Sequence, residues 1–227
     1  MRWGAIMKRI LRNNGLSIVV FGLFLIFFLG ESIAGHRAHN EDREQHNRPS
    51  VGYGTYVTSG AFLESTAENW ESEFLEMAGY VVLTAILFQQ GSAESRKLDR
   101  SEPADRDPRR SVNPDRAPWP VRQGGWLLRA YEHSLSIGFL TLFVIAFFVH
   151  AVGGTHAYNE EQRWHGQAPV SVADFMLTSQ FWFQSLQNWQ SEFLGLGSMI
   201  VLSIFLRQRG SPESKPVDAP HHQTGKD

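Results

Sequence analysis

The chain contains two related copies of one sequence, offset by 119 residues. When residues 15–98 are aligned with residues 134–217 without a gap, 28 of 84 positions are identical. Each copy carries two apolar stretches, and a helix needs about 20 such residues to cross about 30 Å of hydrocarbon. The repeat therefore predicts an all-α membrane protein with four transmembrane helices, arranged as two tandem two-span repeats of the same orientation.

The domain boundaries follow the apolar stretches. Repeat one is expected at 1–91 and repeat two at 131–210, and the predicted spans are about 15–34, 69–90, 133–153 and 188–207. Arg, Asp, Ser and Pro dominate residues 92–130, which cannot bury enough apolar surface to fold alone. We expect a flexible, basic, proline-rich linker there and a disordered tail at 211–227.

Two alternatives to a membrane-spanning protein are a cleaved secretory signal and a soluble helical bundle. Residues 1–34 resemble a secretory signal, but the matching stretch at 135–153 lies in the middle of the chain and must be a permanent helix. A soluble four-helix bundle would need polar stripes that residues 16–29 and 135–149 lack. Both alternatives are disfavoured.

Positive charges predict the orientation. The segments 1–14, 91–130 and 207–227 hold 17 Lys and Arg residues, whereas the loops 35–67 and 153–187 hold four. Because cytoplasmic segments are enriched in Lys and Arg, the N-terminus, linker and C-terminus are predicted to be cytoplasmic. Short amphipathic helices are expected in the outer loops before the second and fourth spans, where Ser171 and Asp174 have capping-box spacing.

The most specific shared string is Asn-Trp-x-Ser-Glu-Phe-Leu, at 69–75 and 188–194. On this tandem string the chain resembles an uncharacterised bacterial family of small integral membrane proteins, a domain of unknown function. The resemblance covers nearly the whole chain. It implies a multi-pass protein of the bacterial cytoplasmic membrane, and it carries no activity.

The string also supplies a candidate polar pocket. A full crossing by the second and fourth spans must include the string, which places Glu73 and Glu192 below the outer interface. A carboxylate at that depth is expected to face protein, and Glu64, Glu68 and Glu71 lie on a separate helical stripe. The predicted pocket consists of Asn69, Ser72, Glu73, Glu76, Asn188, Ser191 and Glu192. A structural role in helix capping and packing stays open beside it.

A second set of residues could ligate a metal at the outer side, since imidazole with carboxylate suits zinc, iron or manganese. Its members are Glu31, His36, His39, His150 and His156. The duplicated Asn40 and Asn159 are expected to make structural loop contacts instead. Trp70 and Trp189 are expected to anchor the outer interface.

Three functions follow as hypotheses. The first is a non-enzymatic membrane protein with an outward polar pocket between the repeats; the second is a small transporter or channel for a proton, cation or polar solute. The third is a metal-dependent membrane enzyme. Soluble-enzyme motifs are absent from the sequence, and the lack of cysteine excludes disulfides and thiolate catalysis. The sequence requires no cofactor, although it allows a divalent metal, and its expected partners are the lipid bilayer and a second copy of the chain, with no nucleic acid.

Overall fold

A computed structural model describes residues 2–98, 102–110 and 114–226. Within these ranges the chain is helical and contains no strand, which confirms the all-α class. The α-helices are α1 (Arg2–Gln45), α2 (Tyr53–Val57), α3 (Gly60–Ile86), α4 (Trp119–Gln123), α5 (Gly125–Glu132), α6 (Ser134–Trp164), α7 (Val172–Phe175) and α8 (Ser179–Phe205). Single 3₁₀ turns occur at Pro103–Asp105, Pro108–Arg110 and Pro114–Arg116.

Two helices are long and apolar enough to cross a membrane, by length and composition. They are Met7–Gln45, within α1, and Ser134–Trp164, which is α6. Helix α1 leaves helical geometry at Asn14 (φ −129°, ψ 15°), one residue before the first predicted span begins. Helices α3 and α8 have 27 residues each, or about 40 Å. The polar residues of the shared string lower their hydropathy, so the four-span architecture stays a prediction.

The described chain divides into two compact units, and neither coincides with a repeat. The first unit draws on residues 1–65 and 152–171, and the second on 66–151 and 172–227. Each unit therefore combines segments of both sequence copies.

In the first unit, duplicated asparagines form hydrogen bonds with the loops that follow α1 and α6. The Asn40 side chain accepts a hydrogen bond from the Val51 amide (2.8 Å) and donates one to the Val51 carbonyl (3.0 Å). Asn159 does the same with Val170, at 2.7 and 2.9 Å. These are the structural loop contacts that the sequence predicted for the two asparagines. Because both backbone groups are paired, the loops need little apolar burial of their own.

In the second unit, matching turns follow α3 and α8. The Ser95 hydroxyl accepts from the Gln89 amide and the Ser214 hydroxyl from the Gln208 amide, both at 2.9 Å. Gly91 and Gly210 adopt positive φ in these turns (83° and 85°), a conformation that favours glycine.

The described part of the tail differs from the predicted disorder. The Lys215 side chain is 1 % exposed, and its ammonium donates to the carbonyls of Gly91 (2.6 Å), Gln223 (2.9 Å) and His221 (3.0 Å). The Gly225 amide also donates to the Ser92 carbonyl (3.0 Å). Hydrogen bonds to backbone carbonyls thus order residues whose low hydrophobicity had indicated disorder.

Candidate functional site

Three glutamates form an acidic cluster in the second unit. Glu73 and Glu76 lie three residues apart on α3, where side chains share one helix face, and Glu192 lies on α8. One carboxylate oxygen from each of the three residues lies within 4.8 Å of the other two. Glu73 is exposed, whereas Glu76 and Glu192 are half-buried. The structure therefore brings together the three acids of the predicted pocket, two of which are equivalent residues of the two string copies.

The two serines of the predicted pocket bond within their own helices. The Ser72 hydroxyl donates to the Asn69 carbonyl (2.8 Å), and the Ser191 hydroxyl donates to the Asn188 carbonyl (2.9 Å). Each hydroxyl proton is therefore already used within its own helix. Among the described residues of the predicted pocket, the three acids are the group whose ligand atoms the structure brings together.

A second polar arrangement in the same unit, the buried pair, consists of Glu71 and His150. Both side chains are 0 % exposed, and His150 Nδ1 lies 2.9 Å from Glu71 Oε2. The indole N–H of Trp189 donates to Glu71 Oε1 (3.1 Å). On the other side of the imidazole, Nε2 lies 3.4 Å from Gln184 Oε1, and the Phe181 ring stacks on it at 4.8 Å between centroids.

This network satisfies both oxygens of a carboxylate that has no access to water. Isolated burial of a charge is very costly, and pairing with complete hydrogen bonding is what makes it tolerable. The imidazole and the carboxylate share one hydrogen-bonded proton position, between Nδ1 and Oε2. Chemically, the buried pair can hold a proton and exchange it between the two groups.

The sequence pattern separates Glu71 from Glu73 but does not predict that Glu71 is buried. Glu73 meets Glu192 as expected although its side chain is exposed, whereas Glu71, which was left outside the pocket, is fully buried. His150 is the sequence feature that could have indicated a buried partner for Glu71. It is an ionisable residue within the predicted third span, and such residues usually face a partner.

The predicted metal set does not assemble. His150 belongs to the buried pair in the second unit, while His36 lies in the first unit with Nε2 2.7 Å from the Val51 carbonyl. Among the residues that the structure describes, no three of the five predicted ligands come within metal-ligating distance; the group that does is the acidic cluster. His36 and His150 make these other contacts instead, so the metal-enzyme hypothesis has no assembled histidine site among the described residues.

The two tryptophans of the string have different surroundings. Trp70 is 41 % exposed, and its place at the outer interface stays a prediction. Trp189 is half-buried, and its ring packs edge-on against Phe143 (6.1 Å) and Trp182 (6.2 Å) besides bonding to Glu71. Trp189 thus helps to hold the buried pair, a role that the anchor prediction missed.

Comparison with known proteins identifies a family. No curated protein and no solved structure matches the chain. A family model described as "Domain of unknown function (DUF6766)" matches residues 7–226, nearly the whole sequence. The chain belongs to the DUF6766 family, as the tandem string had suggested.

Proposed function

We propose that the chain is a non-enzymatic, multi-pass protein of the bacterial cytoplasmic membrane, and that its acidic cluster is an outward-facing site for a cation. Membrane insertion is supported by the exposure of the two apolar helices. Only 6 % and 17 % of their most apolar windows are buried within the protein. In a soluble protein such surfaces would be covered, whereas lipid accepts them.

The proposed topology has four spans with both termini and the linker in the cytoplasm, and it rests on the 17 to 4 distribution of Lys and Arg. Fusions of a periplasm-active reporter after Asn47, Asp107 and Gln167 test it. We expect activity at Asn47 and Gln167 and none at Asp107. Activity at Asp107 would contradict the orientation.

The single observation that supports the cation site is that one oxygen from each of three carboxylates lies within 4.8 Å of the other two. Carboxylates this close repel one another when all are ionised, so a proton or a cation between them relieves the repulsion. Carboxylate oxygens are also the ligands that hard divalent cations prefer.

Manganese binding to the full-length protein in detergent, followed by electron paramagnetic resonance, tests this site. We expect Glu192→Gln to weaken binding by about tenfold or more, because affinity at oxygen sites depends on the number of charged ligands. Glu44→Gln, at an exposed glutamate of the first unit, is the matched control and should bind as the wild type. Equal binding by Glu192→Gln and Glu44→Gln would contradict the proposal.

The buried pair favours a second candidate function, transport of a proton or cation. Glu71 lies on the same helix as Glu73 and shares a proton position with His150, and ionisable groups within spans commonly form relays. In proteoliposomes, the double variant Glu73→Gln/Glu192→Gln should abolish an ion flux while leaving the protein folded and abundant. A wild-type protein that supports no flux of protons or cations would eliminate this candidate.

A further inference from the structure

A charged cavity lies in the second unit beside the chain that leaves α3. Its volume is about 550 Å³, within the range of about 300–1,000 Å³ that is common for ligand pockets. Acidic and basic side chains line it in equal number: Glu94, Glu102, Asp105, Arg96, Lys97 and Lys226. The turn after α3 and the ordered tail build this cavity together, since Gly225, the neighbour of Lys226, is bonded to Ser92.

An apolar cavity of about 210 Å³ adjoins the charged one. The two cavities share the lining residues Tyr80, Thr84, Glu94 and Ser95. Beyond these, the smaller cavity follows the ends of α3 and α8, where its walls are aliphatic, as at Leu83 and Ile200. A charged compartment and an apolar compartment therefore meet at Glu94.

Glu94 and Arg96 each carry a buried polar atom without a hydrogen-bond partner. The Glu94 side chain is 4 % exposed; its Oε2 accepts from the Tyr80 hydroxyl, but its Oε1 has no hydrogen bond and lies 3.6 Å from Lys226 Nζ. Arg96 bonds to Asp105 (2.6 Å) and to the Ala85 carbonyl, yet its Nε is unpaired. Buried polar atoms without a hydrogen bond are rare, so an acceptor and a donor two residues apart indicate a ligand that can both donate and accept.

The formal charges of the six charged lining residues balance. Hydrogen bonds from the Glu102 amide and from Arg96 hold the pKa of Asp105 below its usual range, so this carboxylate stays ionised. A purely anionic ligand would meet the acidic residues at close range, and a purely cationic one would meet the basic residues.

We propose that these adjoining cavities bind a phospholipid whose headgroup carries both a phosphate and a primary ammonium, as in phosphatidylethanolamine. The ammonium N–H groups donate to Glu94 Oε1, the phosphate oxygens accept from Arg96 and Lys226, and an acyl chain enters the apolar cavity. The inference rests on the proposed membrane insertion, since the ends of α3 and α8 then lie at headgroup depth on the cytoplasmic side.

Native mass spectrometry of the delipidated full-length protein, titrated with lipids of identical chains, tests the proposal. Phosphatidylethanolamine should bind about tenfold more tightly than phosphatidylcholine, whose quaternary ammonium has no N–H to donate. It should also bind more tightly than anionic phosphatidylglycerol. Equal affinity for the first two lipids, or tightest binding of phosphatidylglycerol, would overturn the proposal.

Two variants test whether the preference for phosphatidylethanolamine arises in these cavities. Glu94→Gln should remove the preference for phosphatidylethanolamine, while Glu161→Gln, at an exposed glutamate outside the cavity, should retain it. Lys226→Met, near the C-terminus, should weaken the binding of phosphatidylethanolamine and of phosphatidylcholine alike. This variant tests the site even if Glu94→Gln does not fold. A preference that survives Glu94→Gln, or a Lys226→Met variant that binds both lipids as the wild type does, would overturn the site.

The soluble headgroup glycerophosphoethanolamine separates a lipid from a free phosphate compound. We expect its affinity to be at least about tenfold weaker than that of the lipid, since it lacks the chains that fill the apolar cavity. Equal affinity would show that the site takes a soluble ligand and would refute the lipid assignment. Cation binding at the acidic cluster uses other residues, so failure of this inference leaves the manganese test independent.

Discussion

Glu71 and Glu73 are two residues apart on α3, yet their surroundings are opposite. Glu71 is fully buried and bonded to His150 and Trp189. Glu73 is exposed and meets Glu76 and Glu192 in the acidic cluster. Side chains two positions apart in a helix point about 200° apart, so burial of one directs the other outward. One short stretch of helix thus contributes both to a buried hydrogen-bonded pair and to an accessible acidic cluster.

The two arrangements also use the repeat differently. The acidic cluster includes equivalent residues, Glu73 and Glu192, whereas the buried pair takes Glu71 from one copy and His150 from the other. The equivalent positions are Gln190 and Glu31, an amide and a carboxylate, which cannot form an ion pair. Divergence between the copies therefore confines the carboxylate–imidazole pair to one place among these equivalent positions, while Glu73 and Glu192 supply an acid from each copy.

The largest contrast should appear when each acid is truncated. Glu71→Ala is expected to lower the free energy of unfolding by about 3–5 kcal/mol, because it leaves a buried imidazole and a buried indole N–H without their acceptor. Glu73→Ala should change it by less than about 0.5 kcal/mol, as exposed substitutions do. Unfolding in detergent, followed by circular dichroism, measures both. Comparable losses from the two variants would remove the distinction between the sites.

A double-variant cycle sharpens the assignment of the partner. Glu71→Leu and His150→Leu should each strongly lower the free energy of unfolding. The loss in the combined variant should be about 1–3 kcal/mol smaller than the sum of the two single losses, since neither partner is then left buried alone. The same unfolding assay applies. Strictly additive losses would show that Glu71 and His150 do not interact.

The tryptophans of the string extend the contrast. Trp189→Phe removes the donor to Glu71 Oε1 and should cost about 1–3 kcal/mol of unfolding free energy. Trp70→Phe, the same change at the exposed equivalent, should cost less than about 0.5 kcal/mol. If Trp70→Phe were the more harmful change, the surroundings of the two rings would be the reverse of those described.

The smallest effect on stability is expected at the acidic cluster. Glu73→Gln should leave unfolding within about 0.5 kcal/mol of the wild type, with a slight gain in the absence of divalent cations because it relieves repulsion. The rise in melting temperature on adding manganese should fall in this variant. A clear loss of stability together with an unchanged manganese response would contradict the accessible site.

Sequence alone predicted the helical class, the loop contacts of the duplicated asparagines and a pocket that includes Glu73, Glu76 and Glu192. It could not decide which stripe of α3 faces inward, because that depends on the partner that α6 presents, and sequence alignment pairs His150 with Glu31. It also missed the ordered tail, because composition reports the apolar surface that can be buried and not the hydrogen bonds that Lys215 makes with backbone carbonyls.

Cysteine labelling tests the central contrast most directly, because the natural chain contains no cysteine. Ser72→Cys replaces a side chain that is 1 % exposed with one of similar size, and Glu73→Cys places the thiol at the exposed neighbour. We predict that a membrane-impermeant maleimide added to intact cells labels Glu73→Cys rapidly and labels Ser72→Cys only after denaturation. Rapid labelling of Ser72→Cys, or labelling of Glu73→Cys only after the membrane is disrupted, would contradict the account.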